Sequence, residues 1–187
     1  NNEIKTLNVI GTLTNTSDIN FANDVSYIRI GNTVTSISGE LFAGVPQSPL
    51  ERVTFANNST LKTINEQSFA QTSLTSITIP SSVTTISAFA FQWNNYLESV
   101  HFENNSQLTD ISDYIFNNTP NLKSFTIPKS VTNIDANAFI NSGLESVTLY
   151  LNTITKLNDA GADPKIPTEG GSMNTFYGSN AVSINIT

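Results

Sequence analysis

Residues 74–91 read LTSITIPSSVTTISAFAF, and residues 122–139 read LKSFTIPKSVTNIDANAF. The two stretches agree at nearly every apolar position and lie 48 residues apart. A chain that repeats its apolar spacing over such a distance is built from units, and the unit is shorter than 48 residues. The strand template apolar-x-x-apolar-x-apolar fits Ile4/Leu7/Val9, Val25/Ile28/Ile30, Leu50/Val53/Phe55 and Leu74/Ile77/Ile79. It fits again at Leu97/Val100/Phe102, Leu122/Phe125/Ile127, Leu144/Val147/Leu149 and Ala181/Ile184/Ile186. Successive starts are 21, 25, 24, 23, 25, 22 and 37 residues apart.

Each unit carries a second apolar pair three residues apart: Val34/Ile37, Leu61/Ile64, Val83/Ile86, Leu108/Ile111, Val131/Ile134 and Ile154/Leu157. A phenylalanine follows near the end of the unit, at Phe21, Phe42, Phe69, Phe91, Phe116, Phe139 and Phe176. Seven of the eleven phenylalanines therefore occupy one repeat position. Self-similarity at this period is the mark of a solenoid, whose units bury their apolar faces only against one another.

The spacing predicts the coil. Alternate strand residues point to opposite faces, so Leu74, Ile77 and Ile79 enter the core while Ser76 and Thr78 face outward. Strands of successive coils pair in parallel about 4.8 Å apart, so that eight coils span roughly 35–40 Å. Pro80 and Pro128 end their strands, because a residue without an N–H cannot continue a ladder. The alternating longer units leave the strand through Asn57-Asn58-Ser59 or Asn104-Asn105-Ser106, whose side chains suit Asx-type turns. The expected fold is a solenoid with a parallel β-sheet on the concave face, about eight coils of 21–25 residues and little regular helix. One domain, residues 1–187, carries coils starting near 4, 25, 50, 74, 97, 122, 144 and 181, with an insertion within 150–175.

Composition narrows the partners. Hydrophobic residues make up 38% and charged residues 12% of the chain, and the net charge is −7. Nucleic acid and anionic membranes need a basic stripe to displace counterions, so neither is expected as a partner. No apolar run approaches the ~18 residues of a membrane span, and the opening NNEIKTL lacks the apolar region of a signal peptide. With no cysteine there is no disulfide framework and no thiolate zinc site. The redox compartment stays open.

The pattern L-x-x-[IVF]-x-[IF]-P-x-x-V-x-x-I-x-x-x-A-F resembles the BspA-like, or Treponema pallidum-type, leucine-rich repeats. Leu74–Phe91 and Leu122–Phe139 match it nearly position for position. Leu50–Phe69 and Leu97–Phe116 match with a two-residue insertion, and Val25–Phe42 matches without the proline. Ile4–Phe21 is a divergent first coil, and Leu144–Phe176 carries the insertion. The resemblance implies a secreted or surface-attached protein, extracellular or on the cell surface, that binds host proteins or other cells. Fold alone does not dictate function.

Outward positions of the sheet are candidate contacts. They read Thr6/Asn8, Tyr27/Arg29, Arg52/Thr54, Ser76/Thr78, Ser99/His101, Ser124/Thr126, Ser146/Thr148 and Ser183/Asn185, mostly a Ser/Thr ladder suited to a solvated sheet. Tyr27, Arg29 and Arg52 depart from it and fall on adjacent strands. Tyrosine and arginine are favoured at interface hot spots, and an acidic loop or a carboxylate-bearing glycan would fit them. Trp93 and Tyr96, in FQWNNYL, place large aromatics on a connecting loop whose counterparts AQTSL, NNTPNL and INSGL are small and polar. They either mark a protein or sugar contact or fold back to fill a gap between coils.

Catalysis and metal binding find little support in the residues. His101 is the single histidine, and no carboxylate at a neighbouring sheet position could orient it against Ser99. Asp159, Asp163 and Glu169 in the insertion lack the spacing of a calcium loop. No enzyme, no cofactor and no metal are expected. Asn-x-Ser/Thr sequons at Asn15, Asn58, Asn104 and Asn117 matter only if the protein passes through a glycosylating pathway.

The function these readings favour is a secreted or cell-surface binding module for protein or glycan recognition and adhesion to host or other cells. Tyr27, Arg29, Arg52, His101, Trp93 and Tyr96 are its candidate contacts. The alternative is a non-binding structural spacer of a larger surface protein. A monomer is expected; the final VSINIT reads as a strand with no cap over it, and because an uncovered edge invites pairing, an edge-strand dimer is the other arrangement.

Overall fold

The computed structural model describes residues 6–9, 25–44, 47–150, 154–157 and 183–186. Ile4, Phe21, Phe176, the sequon at Asn15 and the insertion carboxylates Asp159, Asp163 and Glu169 lie outside them.

Two kinds of strand alternate along the described chain. The longer ones are β1 (Thr6–Val9), β2 (Tyr27–Ile30), β4 (Arg52–Phe55), β6 (Ser76–Ile79), β8 (Ser99–Phe102), β10 (Ser124–Thr126), β12 (Ser146–Leu149) and β14 (Ser183–Ile186). Between them lie the two-residue strands β3 (Ser36–Ile37), β5 (Thr63–Ile64), β7 (Thr85–Ile86), β9 (Asp110–Ile111), β11 (Asn133–Ile134) and β13 (Lys156–Leu157). Every pairing is parallel and keeps repeat register: Ile28 lies against Val53, Ile77 against Val100, and Phe125 against Val147. The described residues form no helix.

Burial follows the predicted alternation. In β6 the pattern is exposed, buried, exposed, buried across Ser76–Ile79. Leu74, Ile77, Ile79, Val83, Ile86 and Phe91 from that one coil are all buried in a single continuous core. Phe42, Phe69, Phe91, Phe116 and Phe139 form the spine, with successive ring centroids 5.2, 5.3, 5.6 and 5.5 Å apart and near-parallel planes. Five coils, one per spine phenylalanine, lie among the described residues, the first without residues 45–46, against about eight expected. The other expected coils are represented there by their strands alone. Phe55 and Phe102 also differ from expectation: they pack against the core but are only half buried, whereas Ile30, Ile79 and Ile127 at the same strand position are fully buried.

The turns after Phe69, Phe91, Phe116 and Phe139 hold a buried polar row, Thr72, Asn94, Thr119 and Ser142. A side chain at this position can cap the carbonyl of the phenylalanine three residues back, as Thr119 Oγ1 does to Phe116 O at 2.8 Å. Left-handed backbone recurs two places before each spine phenylalanine and, from Phe69 on, two places after it, with Asn58 and Asn105 adding a third such residue in the Asn-Asn-Ser coils. The positions before are Glu40, Gln67, Phe89, Tyr114 and Asn137, and those after are Gln71, Trp93, Asn118 and Asn141. Asparagine tolerates this region and a bulky aromatic does not, at about 1 kcal/mol or more per residue. Phe89 and Tyr114 offset that cost by stacking on each other, with centroids 5.0 Å apart and planes 9° from parallel.

Beside this stack, partial burial pushes the Asp113 carboxyl above its ordinary value of 3.8, and the nearby Asp135 charge adds to the rise. Hydrogen bonds from Asn137 and from the Tyr114 backbone act in the opposite direction. The folded state holds this proton more tightly than the unfolded chain, so the stability linked to it is lost as pH rises through the folded value. Asp113→Asn is therefore expected to raise the melting temperature at neutral pH. Melting curves of both chains taken from neutral pH to below 3.8 should show the difference vanish at the acid end.

Candidate functional site

Three features stand on the framework just described: a cationic cluster at one end of the sheet, two clefts across the sheet, and an aromatic loop on the turn side.

The cationic cluster comes from the register of β2 and β4. Tyr27 lies opposite Arg52, and Arg29 opposite Thr54. The Arg52 guanidinium sits 5.6 Å from the centroid of the Tyr27 ring, and Tyr27 Oη is 3.0 Å from Thr54 Oγ1. The ring thus holds a cation without neutralising it. Arg29 and Arg52 are both exposed and have no carboxylate partner among the described residues. That leaves positive charge on this end of an acidic protein.

The clefts open where the sheet ladder weakens. At two junctions the residue following the longer strand donates its N–H to the previous coil: Ala56 N to Ile30 O (2.8 Å) and Glu103 N to Ile79 O (3.0 Å). Pro80 and Pro128 occupy this place in the next coils and have no N–H to donate to the carbonyls of Phe55 and Phe102. Only Arg52 and Ser76 remain paired between β4 and β6. The ladder stops altogether between β8 and β10, which belong to separate sheets. Both junctions place a longer Asn-Asn-Ser coil before a proline coil, so the defect recurs every second coil.

A cleft of about 740 Å³ lies at the β8–β10 junction, lined by Ser99–Ser106, Ser124 and Thr126–Ser130, with Tyr150 at its rim. The Lys129 ammonium lies 4.9 Å from the Tyr150 ring centroid. Ser130 Oγ is the one buried side-chain polar atom without a hydrogen-bond partner among the described residues. Its counterpart Ser82 Oγ donates to Leu61 O at 2.8 Å. A smaller cleft of about 290 Å³ sits at the β4–β6 junction, lined by Arg52–Phe55, Ser76–Thr78 and Glu103. Glu103 lines both clefts, and its Oε2 accepts the Ser81 N–H at 2.9 Å.

On the turn side, Trp93 and Tyr96 are the large hydrophobics exposed among the described residues, at 45% and 52%. Their loop is held from beneath by Asn94, whose Nδ2 donates to Phe69 O at 2.7 Å and to Phe91 O at 2.8 Å. Asn94 Oδ1 accepts the Thr72 N–H at 3.2 Å and also meets Thr72 Oγ1. Trp93 projects outward from a left-handed residue, φ 59°, rather than folding between coils.

The structure brings Tyr27, Arg29 and Arg52 together, puts His101 in the larger cleft opposite Thr78, and sets Trp93 and Tyr96 on a separate edge. The sequence reading passed over Phe102, Glu103, Lys129, Ser130 and Tyr150. Their available signal was the alternation of Asn-Asn-Ser and proline exits. No group of three or more His, Asp or Glu side chains suited to a metal ion occurs among the described residues. No helix there is long and apolar enough to cross a membrane.

Known proteins share this fold. The BspA type leucine rich repeat region matches residues 14–145 in six copies, more than two thirds of the chain. The chain belongs to the BspA-type leucine-rich repeat family. Among solved structures it is similar to a leucine rich cell surface protein of Faecalibacterium prausnitzii A2-165, at 21% identity and a TM-score of 0.66 over 95% of this chain and 43% of that one. It is also similar to the pneumococcal vaccine antigen PcpA, at 20% identity and a TM-score of 0.54 over 87% of this chain and 31% of that one. The BspA-type chain thus spans less than half the length of either protein, and the likeness to them is one of fold. No curated protein matches it.

Proposed function

We propose that this BspA-type repeat array is a recognition module of a cell-surface or secreted protein, binding a protein or glycan of another cell. The observation that carries this reading is the exposed Trp93–Tyr96 pair on a loop held rigid by a buried asparagine. Exposing two large aromatics forgoes hydrophobic burial, and fixing their loop lowers the entropy lost on binding. Neighbouring coils have small polar residues in the same place, so the coil itself does not require the aromatics. Arg29 and Arg52 beside Tyr27, without a carboxylate partner among the described residues, supply a second contact chemistry on the sheet. The cell-surface setting is supported by the name of the Faecalibacterium relative. Nothing in the residues brought together supports catalysis.

The test is a screen of the purified chain against protein and glycan arrays, followed by variants on the ligand found. Trp93→Ala with Tyr96→Ala, or Arg29→Ser with Arg52→Ser, is expected to weaken binding about tenfold or more, as for interface hot spots. All four side chains are exposed or half exposed, so melting temperatures should hold. A chain that captures nothing, and serves only as a spacer, would contradict the proposal. So would a ligand indifferent to both pairs of changes.

A further inference from the structure

The two clefts are the same defect repeated, and repetition of a site along a rigid array has a chemical consequence. Arg52, Thr54, Phe55, Ser76 and Thr78 in the smaller cleft correspond in the coil to Ser99, His101, Phe102, Ser124 and Thr126 in the larger one. Their centres are two coils apart, about 10 Å at the usual strand spacing. Each floor holds a half-buried phenylalanine whose carbonyl the following proline cannot satisfy. Both linings carry hydroxyls (Thr54, Ser76 and Thr78 in the smaller, Ser99, Ser124 and Thr126 in the larger), the larger adds the amides of Asn104 and Asn105, and Glu103 stands in both.

We infer that the clefts together bind a linear glycan, one short saccharide unit to each cleft. This rests on the recognition function proposed above and names its ligand class. Sugar rings present many O–H donors and a limited apolar face. That matches carbonyl and carboxylate acceptors, a ring edge on the floor and hydroxyls on the walls. Arg52, His101 and Lys129 are donors at the rims for ring oxygens, acetamides or an occasional carboxylate, and Tyr27 and Tyr150 hold two of them in place without cancelling their charge. The orphaned Ser130 hydroxyl in the larger cleft is a further polar atom in want of a partner. A β-strand peptide fits less well. It needs backbone donors as well as acceptors along one edge, and the prolines remove donors where the ladder opens. A densely sulfated chain fits less well too, because Glu103 sits between the cationic rims.

The experiment is calorimetric titration of the whole chain with cellohexaose, N,N′-acetylated chitohexaose and a hyaluronan hexasaccharide, each beside its own disaccharide. A hexasaccharide that reaches both clefts is expected to bind about tenfold or more tightly than its disaccharide. Thr126→Trp places an indole in the larger cleft from an exposed position and should abolish that advantage while the melting temperature holds. Pro128→Ala restores an N–H opposite the Phe102 carbonyl. It should raise the melting temperature and weaken the hexasaccharide as the ladder closes. Equal affinity for short and long sugars, or an advantage that survives Thr126→Trp, overturns the assignment. Capture of a protein ligand without any sugar binding overturns it while leaving the recognition function intact, and capture of nothing removes both.

Discussion

Phe91→Ala is expected to lower the stability of the protein by about 3–5 kcal/mol, the range for emptying a buried aromatic site. The ring is fully buried and stacks on Phe69 at 5.3 Å and on Phe116 at 5.6 Å. Truncation therefore leaves a cavity and also breaks two aromatic contacts, each contributing about 0.5–1.5 kcal/mol beyond area. Collapse cannot fill the gap, since the backbone on both sides is fixed by Phe91 N donating to Ile115 O and Phe69 N to Ala90 O. The consequence reaches beyond one coil, because each coil of a solenoid is stabilised only by its neighbours. Weakening the central interface should uncouple the two ends, so that urea unfolding shows a lower midpoint and a shallower slope. Phe89→Asn makes the contrasting control. That ring is half buried and sits at φ 60°, so losing its stack on Tyr114 is offset by relief of left-handed strain, and its midpoint should move little. Equal losses at Phe89 and Phe91 would mean that the spine is not the source of cohesion.

That contrast also marks what the sequence could disclose. The spine was legible because one apolar identity recurs at one position, and periodicity reports whatever must point inward in every coil. Tyr27, Arg29 and Arg52 were legible for the same reason: a two-residue alternation fixes which side chains share the sheet face, and parallel register aligns them. The clefts were not. They arise from a backbone group that proline lacks, acting on the carbonyl of a residue in another coil, and a side-chain pattern does not record that pairing. Phe55 and Phe102 consequently read as core residues equal to Ile30 and Ile79, yet they form the half-open floors. The left-handed positions were hidden as well. They are filled by glutamine, glutamate, phenylalanine, tryptophan and tyrosine as often as by asparagine, so composition gave no cue.

Asn94 was the most misleading residue, a polar side chain between two aromatics in an apparent surface loop, and it supports the second large prediction. Asn94→Ala should cost about 3 kcal/mol, because it strands several buried groups together, each at about 1–3 kcal/mol when left unpaired. The carbonyls of Phe69 and Phe91 lose their donor, and the Thr72 N–H and hydroxyl lose their acceptor, all inside a side chain site with no exposure. Thr72 also bridges to Ser48 of the preceding coil, so the disturbance passes along the polar row. Asn94→Thr separates the two roles of the residue. A threonine hydroxyl can still reach the carbonyl three residues back, as Thr119 does to Phe116 O, but it cannot span to Phe69 O in the coil before. About half of the lost stability should return with it, while the loop carrying Trp93 and Tyr96 regains only its local anchor. Thermal denaturation gives the stability, and amide hydrogen exchange at Thr72 and Trp93 gives the loop. If Asn94→Ala unfolds at the same temperature as the parent and exchanges no faster there, the buried amide does not hold the aromatic platform, and the rigidity invoked for recognition is lost with it.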